Sequence, residues 1–340
     1  MSLKRQVNSV EMEYMVTLVT GATGFVGANI VKELAAAGHQ VVGFDVNTPD
    51  ELTHQFMGDS APNVDFVQGN ILDKASLNDL KNRHSIDKIV HAAVFTVNRV
   101  PLETQRSQDI VEINVTGTTN VLELARSLGV ARLVYVSSGA AYGAASGLDQ
   151  TFNEETPVNP KDLYGITKYA SELLVKRYGE LHQFSTASVR LSTPYGPMER
   201  VTGHRAVMSV FHNWTSQAIR GETIQSENLD EGRDYTYVTD IANGLRCVLD
   251  APQLPHSLYN LTAGRWITYR EILDQLTSLI PSAQIAEINR GSTQSADHGT
   301  SRGPLSGHRL FCDMGWAPSF DLRAGLTDYI NWRRRASYLD

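Results

Sequence analysis

The sequence predicts an α/β fold: a doubly wound parallel sheet with a smaller, discontinuous C-terminal lobe. Three observations carry this expectation. Short β-branched runs alternate with amphipathic stretches over roughly the first 190 residues, the pattern of βαβ units whose right-handed crossovers cover a parallel sheet on both faces. The first of these runs ends in a glycine-rich turn, with Gly21, Gly24 and Gly27 at its corners. From Ser192 the alternation loosens around Pro194, Gly196 and Pro197, so a second, less regular region begins there.

Strands are expected at 15–20, 40–44, 64–67, 88–91, 132–137 and 186–191, with helices between them at 27–37, 75–82, 104–128 and 163–181. Helical spacing resumes at 238–249, where Thr239 or Asp240 can cap the start, and again at 268–280, which ends at Pro281. The polar stretch 294–307 reads as loop, and Arg333-Arg334-Arg335 as a solvated helix end. This divides the chain into a dinucleotide-binding part, 14–191 plus 233–250, and a substrate lobe, 192–232 plus 251–335. Residues 1–13 read as a disordered extension, and the crevice between the two parts is the default ligand site.

Composition narrows the function classes. The chain has 340 residues, 41% of them hydrophobic and 20% charged, which fits a globular protein with a large core. Thirty basic against 37 acidic residues leave a net charge of −7, the wrong sign for a nucleic-acid partner. Two cysteines, Cys247 and Cys312, cannot form a disulfide framework, and a reducing compartment follows. No apolar run reaches the ~20 residues that span a bilayer, and 1–13 lacks a signal-peptide core. A cytoplasmic protein without a membrane partner is the expectation.

The turn Thr20-Gly21-Ala22-Thr23-Gly24-Phe25-Val26-Gly27 follows a strand and opens a helix. Glycines there let backbone N–H groups approach a pyrophosphate, to which the helix N-terminus adds its positive end. The spacing is GxxGxxG, not the GxGxxG of the standard fingerprint. Asp45, 18 residues beyond Gly27, is placed to accept both ribose hydroxyls and to repel a 2′-phosphate, which favours NAD over NADP. A lone aspartate more often serves a turn; behind this loop the ribose reading gains weight. Asn70 can meet an adenine edge or simply shape a turn.

Ser138 ends the strand at 132–137, and Tyr164 and Lys168 follow on one face of a helix. A free tyrosine has a pKa near 10, and an adjacent ammonium lowers it toward use as a base. Ser138 can orient a substrate hydroxyl for proton transfer to Tyr164. A Tyr-x-x-x-Lys spacing arises often by chance; its order behind the glycine loop and the strand-end serine gives it meaning.

With these motifs, the chain resembles the extended short-chain dehydrogenases/reductases of the NAD-dependent epimerase/dehydratase family, of Rossmann-type fold. The likeness runs from about Val16 to Trp332 and rests on TGATGFVG (20–27), HAA (91–93), NVTGT (114–118), VSSGAAYG (136–143), YGITK (164–168), RLSTPYGP (190–197), RDYTYVTD (233–240) and GWAP (315–318). It implies Ser138, Tyr164 and Lys168 as catalytic residues, with Tyr164 the acid/base and Lys168 also on the nicotinamide ribose. It implies cofactor contacts at Gly21, Gly24, Phe25, Val26, Gly27, Asp45, Asn70 and Ile71 and along Ala92 and Ala93, and a cofactor-side or structural place for Asn114. His91 reads as a packed residue.

The resemblance covers several reactions on one scaffold. The family's 4,6-dehydratases carry an Asp-Glu pair after the catalytic hydroxyl residue; this chain has Gly139-Ala140, which argues against dehydration. Thr193 stands where sugar-nucleotide enzymes usually have asparagine. Arg233 matches an arginine that meets substrate phosphate, or pairs with Asp234 or Asp240; Arg302, in a degraded Arg-Pro-x-Asp-like segment, can serve similarly. Arg200, His204, Arg205, His212 and Trp214 mark the region of substrate selection. The leading expectation is a UDP-sugar 4-epimerase working through a 4-keto intermediate. A dehydrogenase or reductase of a sugar, sugar acid or other secondary alcohol is the alternative, and a non-catalytic NAD-binding sensor comes third. The resemblance also implies a homodimer through the helices at 104–128 and 163–181.

Overall fold

The computed structural model describes residues 15–97, 100–144, 150–201, 208–287 and 302–338. The expected extension at 1–13, His204, Arg205 and most of the loop at 294–307 lie outside the described residues. Among the described residues twelve strands occur in chain order: β1 (Val16–Thr20), β2 (Gln40–Asp45), β3 (Val64–Gln68), β4 (Lys88–His91), β5 (Arg132–Ser138), β6 (Ser185–Leu191), β7 (Thr193–Tyr195), β8 (Thr223–Ser226), β9 (Gly232–Tyr237), β10 (Leu258–Leu261), β11 (Trp266–Thr268) and β12 (Gln284–Glu287).

Seven strands form one parallel sheet in the order β10-β6-β5-β4-β1-β2-β3. Leu18, Val19, Ile89, Val90, Leu133 and Val134 are all fully buried, as strands covered on both faces must be. The order reverses between β1 and β4, and such a switch point opens a crevice at the carboxyl ends of the strands. Two small sheets lie apart from it: β7 runs parallel to β9, β11 antiparallel to β9, and β12 pairs with β8. Leu258–Leu261, which the sequence division puts in the lobe, pairs with β6 in the large sheet. Residues 233–237, assigned by that division to the dinucleotide-binding part, pair instead with β7 and β11.

The helices are α1 (Phe25–Ala36), α2 (Glu51–Met57), α3 (Lys74–Arg83), α4 (Val100–Gln105), α5 (Ser107–Val111), α6 (Gly117–Leu128), α7 (Leu163–His182), α8 (Val210–Arg220), α9 (Val238–Asp250), α10 (Tyr269–Leu279), α11 (His308–Met314) and α12 (Leu322–Ala336). The single helix expected at 104–128 is broken into α4, α5, a π turn at Glu112–Thr116, and α6. The cause is Asn114, whose buried side chain leaves the helix to bond Phe95 and Thr167. Neither Thr239 nor Asp240 caps α9. β9 runs straight into it through Tyr237, and Asp240 instead accepts from Ser319 and Phe320. Arg333 is no solvated helix end: it is fully buried and donates to Ser216 and Tyr329. By contrast α10 carries a full capping box, Thr268 with Glu271.

Candidate active site

The glycine turn lies at the crevice. Gly21 has φ +72°, a left-handed conformation that a side chain disfavours. A Cβ on Gly27 would come within 1.9 Å of the Gly21 carbonyl oxygen, so α1 packs onto the turn only because Gly27 has none. The helix begins at Phe25 with Gly24 as N-cap and no side-chain cap, which leaves the turn open to a ligand. Asp45, ending β2, accepts from the N–H of Thr23 at 3.0 Å and of Asn47 at 3.0 Å, and so ties the turn to the neighbouring strand end.

A cleft of about 720 Å³ opens here, lined by Gly21, Gly24, Phe25, Val26, Gly27, Asp45, Asn70, Ile71, Ala92 and Ala93. Every proposed cofactor contact from these segments therefore faces one space. Asn70 does two things, lining the cleft while its Oδ1 accepts from the Leu72 N–H at 2.9 Å to make a turn. Asn114 lies outside this lining. Its carboxamide accepts from the Phe95 N–H at 2.8 Å and donates to Phe95 O and Thr167 Oγ1, so it fastens the π turn to β4's continuation and to α7.

Ser138 ends β5, and its Oγ accepts from the Ala140 N–H at 3.1 Å. Asp162 caps α7 by accepting from the Gly165 N–H at 2.7 Å. A Cβ on Gly165 would lie 2.6 Å from the Ala140 carbonyl oxygen, so the first turn of α7, bearing Tyr164, presses directly against the turn after Ser138. The Lys168 Nζ lies 5.9 Å from the Tyr164 ring centroid and 4.8 Å from that of Tyr135. It donates to Val136 O at 2.7 Å. Burial pushes the Lys168 ammonium down to about 7, against the opposing pull of Glu172. His91 is held between Thr20 and Thr118 and pushed down to about 3 by burial and by Lys168, which keeps its ring neutral.

Sequence reasoning missed the group behind this pair. Glu172 accepts from Ser137 Oγ at 2.5 Å and from Arg190 at 2.6 and 2.9 Å, all buried. The signal was available: Glu172 follows Lys168 by one helical turn on the same face. Breaking one partner of such a buried pair costs roughly 3–5 kcal/mol, because it strands the other charge.

On the far side of Ser138, Arg302 lies against Gly139, where an added Cβ would meet its Nη2 at 2.5 Å. Enclosure and the neighbouring Arg233 push the Arg302 guanidinium down to about 10. Arg233 pairs with neither candidate aspartate. Asp234 accepts from Thr262 Oγ1 at 2.5 Å and from the Leu305 N–H at 2.9 Å, and Asp240 is held by Ser319 and Phe320. Arg302 thus stands beside the turn after Ser138, with Arg233 near enough to act on its charge, an arrangement that suits an anionic group. Thr193 opens β7, opposite Tyr235. Trp214 does not face a ligand: it is buried edge-on against Tyr269. Arg200, expected near the substrate, lines the glycine-turn cleft instead.

A cleft beside a glycine turn, at the switch point of a parallel sheet, defines a Rossmann-type α/β fold; Ser138, Tyr164 and Lys168 are not among the described residues that line it. The chain belongs to the NAD dependent epimerase/dehydratase family, whose model matches residues 17–261. It is similar to a putative UDP-glucose 4-epimerase of Methanocaldococcus jannaschii, 28% identical over 93% of this chain and 98% of that protein. A UDP-glucuronate 4-epimerase of Thermodesulfobacterium geofontis is also 28% identical, over 93% of this chain and 95% of the relative. Among solved structures, an epimerase from Methanothermobacter thermautotrophicus superposes with TM-score 0.80 at 26% identity, covering 96% of this chain and 94% of its own. The chain is thus an NAD-dependent sugar-modifying enzyme, and NAD is its cofactor. The residues fit that group: the glycine turn opens α1 with no side-chain cap on its N-terminus, and the turn and Asp45 at the end of β2 line one cleft. No described helix is long and apolar enough to cross a membrane.

Proposed function

We propose that the chain is a nucleotide-sugar 4-epimerase acting on a UDP-sugar. Bound NAD supplies a reversible hydride acceptor, so the sugar is oxidised and reduced within one turnover with no net redox change. Ser138 holds the C4 hydroxyl, and Tyr164 takes its proton as the C4 hydrogen leaves. Lys168 stabilises the phenolate and holds the nicotinamide ribose. After the 4-keto sugar turns over in the site, Tyr164 returns the proton and the C4 configuration is inverted.

One observation carries this reading: Arg302, with Arg233 near it, lies against the turn after Ser138, where Gly139 stands in place of an acid. A nucleotide diphosphate answers the charge of Arg233 and Arg302. No carboxylate at 139 is present to promote loss of water. Thr193, in place of the usual asparagine, favours a second reading, a dehydrogenase of a sugar or sugar acid that releases NADH. The partner is a second copy of the chain. Val111 on α5 and Ile166 and Leu173 on α7 are exposed apolar side chains, suited to a homodimer across these helices.

Incubating the purified protein with UDP-glucose, UDP-galactose or UDP-glucuronate and no added NAD tests the assignment. Epimer should form, and Tyr164→Phe should abolish it. Stoichiometric NADH from a non-nucleotide sugar would overturn the epimerase reading in favour of the dehydrogenase.

A further inference from the structure

The cofactor cleft has a wall that the glycine turn does not supply. The segment following β7 crosses from the small sheet to the glycine turn, and its backbone is constrained along the way. Gly196 has φ +135° and Met198 φ +68°, the latter a left-handed conformation that a side-chain-bearing residue disfavours. Met198 is fully buried, and Asn29 of α1 donates to the Pro197 carbonyl at 2.9 Å. Packing and this hydrogen bond hold the segment against α1.

From its end, Arg200 reaches across the cleft. Its Nη1 donates to Asp50 Oδ2 at 2.5 Å, and its Nη2 donates to Thr53 Oγ1 at 3.1 Å and to the Thr23 carbonyl at 3.2 Å. One side chain therefore joins three segments: the stretch after β7, the glycine turn, and the N-terminus of α2. Thr23, Asp50, Arg200 and Val201 all line the cleft. Only 12% of the Arg200 side chain is exposed, and its Nε is buried without a hydrogen-bond partner. Asp50 is also the N-cap of α2, accepting from the Thr53 N–H. Burial opposes its ionisation, but the bonds from Thr53 and the Arg200 charge outweigh this and hold its carboxyl below the usual range.

The charge count gives the bridge a purpose. The glycine turn, 20–27, contains no lysine or arginine, and Asp45 and Asp50 both stand at the same cleft. A dinucleotide brings a diphosphate to this place, so a cation nearby has more to do than pair with one aspartate.

We infer that Arg200 is a strap that retains the dinucleotide: by tying the segment after β7 to the glycine turn and to Asp50, it closes one side of the cleft, and its release limits escape of the dinucleotide. The inference rests on NAD as cofactor and not on the sugar reaction, so it stands or falls separately from the epimerase assignment.

The experiment is NAD exchange without sugar. Protein loaded with labelled NAD is chased with unlabelled NAD, and loss of label is timed for wild type, Arg200→Met and Asp50→Asn. Asparagine keeps an oxygen for the Thr53 N–H and so preserves the helix cap. Both variants should lose label about tenfold faster, with the melting temperature of the cofactor-free protein little changed. Unchanged exchange in Arg200→Met overturns the strap. Faster exchange in Arg200→Met with unchanged exchange in Asp50→Asn also overturns it, since that result makes the arginine a direct phosphate contact independent of the bridge. If Arg200→Met does not fold, Arg200→Lys takes its place: lysine keeps the charge but cannot hold three oxygens in the same fork, and faster exchange is again expected.

Discussion

Lys168 and Asp234 are both buried and titrate away from their ordinary ranges in opposite senses. Burial holds the Asp234 carboxyl at about 6, against 3.8 ordinarily. Between those values the folded chain binds more protons than the unfolded one, so this group's contribution to stability falls as pH rises from about 4 to 6. The shift corresponds to roughly 3 kcal/mol. Asp234→Asn should therefore raise the melting temperature relative to wild type more at pH 7 than at pH 4, which thermal denaturation at the two pH values checks. Lys168 behaves in the other sense: with its ammonium pushed to about 7 from 10.5, the unfolded chain binds the extra proton between those values. Its burial penalty is thus fully felt below about pH 7 and is relieved as pH climbs toward 10.

Two further outcomes belong to single residues. Asp45→Ala should weaken NAD more than NADP, measured as the ratio of the two dissociation constants; an unchanged ratio contradicts the ribose assignment. Gly139→Asp would place side-chain atoms where Arg302 Nη2 now lies. Because that contact is the end of a flexible side chain, the chain should fold and bind NAD, while the KM for a UDP-sugar rises at least severalfold.

At the scale of elements, the large parallel sheet was legible because each strand is a self-contained apolar run. β1, β2, β4, β5 and β6 fall within a residue or two of their expected places. The glycine turn and the Tyr-x-x-x-Lys helix were legible because their geometry is local: three glycines and two side chains one turn apart. The break at 112–116 was not, since helical periodicity at 104–128 says nothing of Phe95 and Thr167, the groups that draw Asn114 out of register. Nor were β7 to β12, strands of three to six residues that exist only through distant pairing. The capping box at Thr268 was half visible as a helix start. Thr268→Ala should cost about 1 kcal/mol, read from a denaturant midpoint shifted without change of slope.

For the whole molecule, the exposed apolar residues of α5 and α7 lie on two adjoining helices, and these are the surface where a second copy is expected. Equilibrium sedimentation should give a dimer, and Leu173→Glu with Ile166→Glu should give a monomer that still folds. A wild-type monomer at micromolar concentration would contradict the dimer.

The sequence by itself determined the α/β class, the glycine turn that opens α1 and the helix that carries Tyr164 and Lys168 one turn apart, because each depends on residues near in the chain or on a repeated period. Only the tertiary structure decided what surrounds them. Arg302 reaches Gly139, Glu172 is locked to Arg190 and Ser137, Trp214 turns inward, and Arg200 crosses to Asp50. Each is a contact between segments brought together by the parallel sheet and its crossovers. Long side chains of the same type can point to a substrate, a core or a cofactor with equal local propensity, and it is the packing of distant elements that chooses among them.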